Sequence, residues 1–174
     1  MLTSEKIKLR ALEPADVEVL YQWENSPEIW QVSGTVIPFS RETLRKYIET
    51  AADIYADKQF RFVICLNDSE KPIGCIDLFE FDVKNQRAGI GILIAEQEER
   101  GKGYASDAIQ LLINYSFSHL HLHQLFCNIA KGNEISLKLF EKYEFEKISV
   151  KKDWLKTENG WLDEHFLQLI NPNS

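Results

Sequence analysis

The chain has 174 residues, 44% of them hydrophobic, enough apolar material for the core of one ordinary domain, and we expect a single unit over 1–174. No apolar run approaches the 18 residues of a membrane-spanning helix, and the N-terminal residues Met1-Leu2-Thr3-Ser4 do not read as a signal peptide. The formal net charge of −7 argues against nucleic acid or an anionic membrane as the main partner and is compatible with cationic substrates.

The elements follow in chain order. Residues 7–12 alternate and predict a first strand. Pro14 suits the first turn of a helix running to about Trp23. Ser26-Pro27-Glu28 is a second helix start, with a capping serine, proline at the first position and an acid in the first turn. Ser40 caps a third helix, from Arg41 to about Ala56. Strands at 60–66 and 73–81 are joined by the polar turn 67–71, and a further strand covers 88–95. A helix from about Tyr104 to His119 carries Ala105, Ala108, Ile109, Leu112 and Tyr115 in one buried stripe. A strand at 125–130, a helix within 133–145 and a hairpin turning at Glu158-Asn159-Gly160 complete the chain. Cys65, Cys75 and Cys127 sit inside apolar runs without metal-ligand spacing, so they read as reduced core thiols and point to a cytoplasmic protein.

The most informative stretch is Arg100-Gly101-Lys102-Gly103-Tyr104-Ala105, between an apolar strand and a helix start. Glycines let the backbone turn and approach a ligand, and the first helical N–H groups favour an anion. Arg100 and Lys102 are expected to add positive charge, so a phosphate-bearing ligand is expected. The dinucleotide fingerprint G-x-G-x-x-G fails because Ser106 stands at its third glycine, and the phosphate loop G-x-x-x-x-G-K-[ST] is absent.

The pattern R-x-x-G-x-A over Arg100, Gly103 and Ala105 resembles the acetyl-CoA pyrophosphate loop of the GNAT superfamily of N-acetyltransferases. About 30 residues on, Asn133, Ser136, Leu139, Lys142 and Phe145 match that family's N-x-x-S-x-x-L-Y-x-K-x-G-F helix. Phe140 replaces its tyrosine and Glu144 its glycine. The N-terminal third, with Trp23-Glu24-Asn25-Ser26-Pro27-Glu28, resembles the branch of ribosomal-protein N-terminal and spermidine acetyltransferases. Gly74-Cys75-Ile76-Asp77-Leu78-Phe79-Glu80 resembles the spermidine enzymes in particular. Asn159-Gly160-x-x-Asp163 is shared by both groups. The resemblance covers about residues 7–170 and implies an α/β (α+β) fold: a mixed, mostly antiparallel sheet, helices on both faces, and strands splayed at the acetyl-CoA site.

The implied reaction moves an acetyl group from acetyl-CoA, used as donor with no metal, to an amine. The resemblance assigns Arg100, Gly101, Lys102, Gly103, Tyr104, Ala105 and Ser106 to the pyrophosphate, and a backbone N–H at Leu93 or Ile94 to the thioester carbonyl. Asn133 and Ser136 are expected to touch the cofactor arm or cap the helix. Glu24, Glu28, Trp30 and Asp77 are candidates for the acceptor side. An alkyl ammonium titrates near a pKa of about 10.4, so a carboxylate or a water chain must take its proton. Glu80, Asp77, Glu24 and Glu28 are the candidates. On a regular strand Asp77 and Glu80 point to opposite faces, and Glu80 is favoured because it matches an acidic position of the spermidine enzymes. Tyr143, three residues after Phe140, is the candidate acid for the leaving thiolate.

His119, His121 and His123 fall at a helix end and are not read as a zinc site. The hairpin carrying Trp154 and Trp161 either covers the cleft or forms a dimer edge. The leading expectation is a small polyamine-like acceptor. Peptide N-termini, amino sugars and a non-catalytic acyl-CoA-binding module are the alternatives.

Overall fold

Period-two alternation in the apolar segments drives the formation of one twisted sheet. The computed structural model describes residues 2–33, 35–51 and 53–173, without the side chains of 31 and 32. Eight strands are present: β1 Leu2–Thr3, β2 Ile7–Ala11, β3 Phe60–Leu66, β4 Pro72–Asp82, β5 Arg87–Ile94, β6 Gln124–Ala130, β7 Glu146–Thr157 and β8 Gly160–Ile170. They lie in the order β1-β2-β3-β4-β5-β6-β8-β7. All neighbours are antiparallel except β5 and β6.

Among the described residues six α-helices cover the two faces: α1 Val17–Glu24, α2 Pro27–Ser33, α3 Arg41–Thr50, α4 Ile54–Asp57, α5 Tyr104–Ser118 and α6 Glu134–Glu141. On one face Ala108, Ile109 and Leu112 of α5 pack on Ile64, Ile76 and Ile90 of the sheet, and Leu137 and Phe140 of α6 join the same cluster. On the other, Leu20 and Trp23 of α1, Ile29 of α2 and Leu44 of α3 pack with Cys75 of β4. Burial of this kind contributes roughly 25 cal/mol per Å² of apolar surface. The mixed sheet with helices on both faces is as expected from sequence.

The feature that positions the site is the β5–β6 pair. Its parallel ladder holds only at Arg87↔Gln124, Ala88↔Leu125 and Gly89↔Phe126. β5 runs on to Ile94 and β6 to Ala130 without pairing to each other, so one edge of β5 is open, which is the expected splay.

Three expectations need correction. The two-residue β1 escaped the alternation test because a strand that short has no period. The expected third helix ends at Thr50, before the undescribed position 52. There the Asp53 carboxylate accepts from the N–H of Tyr55 at 2.9 Å and Ala56 at 3.1 Å, starting the separate turn α4. β4 is bulged between Phe79 and Asp82, with Glu80 at φ 49°, so counting residues in twos fails there.

Candidate active site

The loop after β5 folds as its composition dictates. A 3-10 turn at Gln97–Glu99 leads to Arg100, then Gly101 at φ 77° and Gly103 at φ 89°. A side chain at either would be strained. Gly103 caps α5: its carbonyl accepts the first helical bond, from Asp107 N–H at 3.1 Å. The N–H groups of Tyr104, Ala105 and Ser106 precede that bond and form the anion-favouring end of the helix.

The loop's own cations point elsewhere than expected. Arg100 Nε donates to the carbonyl of Ile94 at 2.9 Å and Nη2 to that of Ala95 at 3.2 Å, so it clamps the end of β5. Lys102 Nζ donates to Glu99 at 2.8 Å. Both are bound within the protein: Lys102 shares its charge with the Glu99 carboxylate, while Arg100 is turned onto two backbone carbonyls.

The strand geometry separates Leu93 from Ile94. Ala95 N–H donates to Ile73 of β4 at 2.9 Å. Backbone groups alternate sides along a strand, so Leu93 N–H also faces β4 and Ile94 N–H faces the open edge. The Ile94 carbonyl is reached from that same open side by Arg100.

The second motif supports the loop. Asn133 is the N-cap of α6, its side chain accepting from Ser136 N–H at 3.2 Å, so the capping alternative is realised. Ser136 is half-buried on the first turn. Phe140 lies in the core, edge-on to Phe145 at 5.1 Å. Tyr143 lies just beyond α6, which ends at Glu141, and packs against the same core cluster as Phe140. The Tyr143 hydroxyl donates to the carbonyl of Ser106 at 2.7 Å and lies 2.7 Å from the Ser106 hydroxyl, which in turn accepts from Lys142 Nζ at 2.7 Å. Tyr143 therefore ties α6 to the first turn of α5, its proton directed at a carbonyl. Glu144 adopts φ 64°, the left-handed position where the related motif has glycine.

The face under α1–α3 carries the groups expected from sequence on the acceptor side. Arg61, Asp77 and Gly91 form one row across β3, β4 and β5. Arg61 grips Asp77 with two hydrogen bonds, at 2.9 and 2.8 Å, and reaches Glu24 at the end of α1. Burial opposes the guanidinium charge, but the Asp77 carboxylate outweighs it and holds Arg61 well above its ordinary pKa. Trp30 Nε1 donates to the backbone of Glu24 at 2.6 Å. Glu24, Asp77 and Trp30 are thus brought together. Glu28 is exposed and takes a hydrogen bond from Gln97 instead.

Beside that row the sheet is bare. A Cβ on Gly91 would meet only the Phe79 ring, at 3.7 Å. Gly89 is filled over by that ring, since a Cβ there would sit 2.2 Å from it. Across the splay, Lys151 of β7 donates to Asn128 of β6 at 2.7 Å and Glu164 of β8 at 2.9 Å. The floor between β4 and β6 is a glycine furrow with a mixed-charge cluster on each side. Glu80 is not brought to it. It is exposed on the bulge, three residues past Asp77, the partner of Gly91, or roughly 10 Å along the strand.

Residues 6–146 match the profile of the acetyltransferase (GNAT) domain. The chain belongs to the GNAT acetyltransferases. It is 30% identical over 171 residues to p20, an uncharacterised N-acetyltransferase of Bacillus licheniformis, covering 97% of this chain and 95% of that protein. It is 29% identical over 150 residues to the spermidine N(1)-acetyltransferase of Escherichia coli K12, covering 83% and 75%. The crystal structure of the Vibrio cholerae spermidine N-acetyltransferase with CoA and spermine superposes with a TM-score of 0.86 at 24% identity over 96% of each chain, a likeness of fold. This GNAT protein is therefore an N-acetyltransferase using acetyl-CoA. Its loop glycines, the open β5 edge and the α5 N-terminus fit that donor.

Sequence reasoning missed Arg61, Gly91, Asn128 and Lys151. Their roles come from strand register, and the one local signal was a charged residue inside the apolar run 60–66.

Proposed function

We propose that this GNAT enzyme acetylates a primary amine of a small, polyamine-like cation by direct attack in a ternary complex over Gly91. The observation that carries this reading is the Arg61–Asp77–Glu24 group beside the open edge of β5, two carboxylates against one guanidinium. It leaves one negative charge in excess where a cationic chain would lie. The likeness to a spermidine N(1)-acetyltransferase over 83% of the chain supports the same acceptor class.

The donor loop would hold the diphosphate on backbone N–H groups, and Ile94 N–H is aligned to polarise the thioester carbonyl. The nitrogen then bonds to the acetyl carbon, the carbon–sulfur bond breaks and the thiolate leaves. With a reference pKa of about 8.5, that thiolate needs no dedicated acid, consistent with Phe140 in the core and Tyr143 held at Ser106. Only about one alkyl amine in a few thousand is neutral at pH 7, so a proton acceptor is required. Asp77 has both oxygens on Arg61, and Glu80 lies out on the bulge. Glu24 engages Arg61 through Oε1 and is the carboxylate best placed to take the proton on its other oxygen. The exposed Ile148, Val150 and Trp154 on edge strand β7 support pairing of two copies there.

Release of CoA from acetyl-CoA with polyamines, N-terminal peptides and amino sugars tests this reading. Turnover with polyamines is expected. Turnover with peptides alone reassigns the acceptor, and acetyl-CoA binding without turnover indicates a binding module. Glu24→Gln should lower kcat/KM about a hundredfold. A full effect in Glu80→Gln and none in Glu24→Gln would reverse the assignment of the base.

A further inference from the structure

The donor loop presents a puzzle of charge. A diphosphate is expected at Gly101–Gly103, yet Arg100 is bound to two carbonyls and Lys102 to Glu99. A third cation stands over the loop, and it comes from the opposite end of the chain. A Cβ built on Gly103 would lie 3.9 Å from Nζ of Lys6, and this is the nearest heavy atom it would meet.

The backbone from which the exposed Lys6 side chain reaches the loop is fixed by a turn. Ser4 Oγ accepts from the N–H of Lys6 and of Ile7, each at 3.2 Å, and Ser4 N–H donates to the Ile7 carbonyl at 2.8 Å. Asn67 locks the turn from the β3–β4 hairpin, its N–H on the Lys6 carbonyl at 3.0 Å and its amide on the Ser4 carbonyl at 2.9 Å. The turn is fastened to α5 itself, where Ser4 Oγ donates to Asp107 at 3.2 Å. Lys8, Lys71 and Lys102 close on Glu70, Glu98 and Glu99. Among the described residues, no carboxylate lies within ion-pair range of the Lys6 ammonium.

We propose that Lys6 is a phosphate-binding residue of the donor site, supplying from the N-terminal turn the charge that the loop's own cations direct elsewhere. Its partner is the diphosphate of acetyl-CoA, because Gly103 is the point of the loop it overhangs. This assignment rests on the donor-site reading above. It also gives the N-terminal turn a purpose: the β1–β2 connection carries a ligand group onto the start of α5.

Calorimetry on the full chain tests it, with acetyl-CoA and with its 3′-dephospho form. Lys6→Met should weaken both ligands by about five- to tenfold, and Lys6→Arg by no more than about twofold. The loss should appear in the donor KM, with kcat at saturating acetyl-CoA unchanged. Lys46→Met, on α3, serves as the control for a general change of charge. Unaltered affinity in Lys6→Met would overturn the proposal. A loss confined to the form bearing the 3′-phosphate would overturn the diphosphate placement. Failure of the wild type to bind acetyl-CoA would sink the donor-site reading itself, a distinguishable outcome.

Discussion

The two halves of this active site are built by different means. The donor half is, apart from Lys6, one continuous piece, the end of β5, a loop and the first turn of α5, and its geometry follows from two glycines at φ 77° and 89°. The proposed acceptor half is assembled from α1, β3, β4 and β5, whose residues meet because strand register places Arg61 opposite Asp77 and Asp77 opposite Gly91. The donor half should therefore fail through backbone changes that leave the fold intact. The acceptor half should fail through loss of charge balance, which is felt by the whole domain.

The largest contrast is expected at Gly103. Gly103→Val forces a β-branched residue into the left-handed region, at roughly 1–3 kcal/mol of strain. Acetyl-CoA affinity should fall by about a hundredfold in calorimetry while far-ultraviolet circular dichroism is unchanged. Retained affinity would show that the loop does not hold the donor. The reverse pattern is expected at Arg61. Arg61→Leu leaves Asp77 and Glu24 facing each other without a cation and should destabilise the domain by about 2–3 kcal/mol in urea unfolding. Acetyl-CoA affinity should stay within about twofold of wild type, because no loop contact is touched. A large loss of donor binding would erase the distinction between the halves.

A smaller effect sharpens the donor side. Glu144→Gly relieves a left-handed glutamate after α6, at the expense of extra freedom in the unfolded chain. A net stabilisation of about 0.5 kcal/mol is expected from urea unfolding, with no change in amine turnover. Destabilisation would mean that the Glu144 side chain contributes more than its backbone costs.

The same contrast explains what could be read from the sequence. The loop was legible as a turn into a helix because Gly101 and Gly103 set the backbone where they stand, and the cap at Asn133 was one of two readings its position allowed. The furrow was not, since Gly91 in Ile90-Gly91-Ile92 looks like any core glycine until Asp77 is placed beside it. The place of Glu80 was misread because alternation assumes a regular strand and β4 bulges at that residue. The contact of Tyr143 with Ser106 was not legible, because it depends on α6 and α5 meeting. Lys6 carried no local signal at all, as its place over Gly103 depends on β1, β2 and α5 meeting.

The most direct test of the account is Gly91→Leu, assayed for acetyl-CoA binding and for CoA release with the amine that the wild type turns over. The substitution puts a branched side chain into the furrow without touching the loop. The account predicts unchanged donor affinity and at least about a tenfold fall in kcat/KM for the amine. Equal turnover would place the acceptor elsewhere and contradict it.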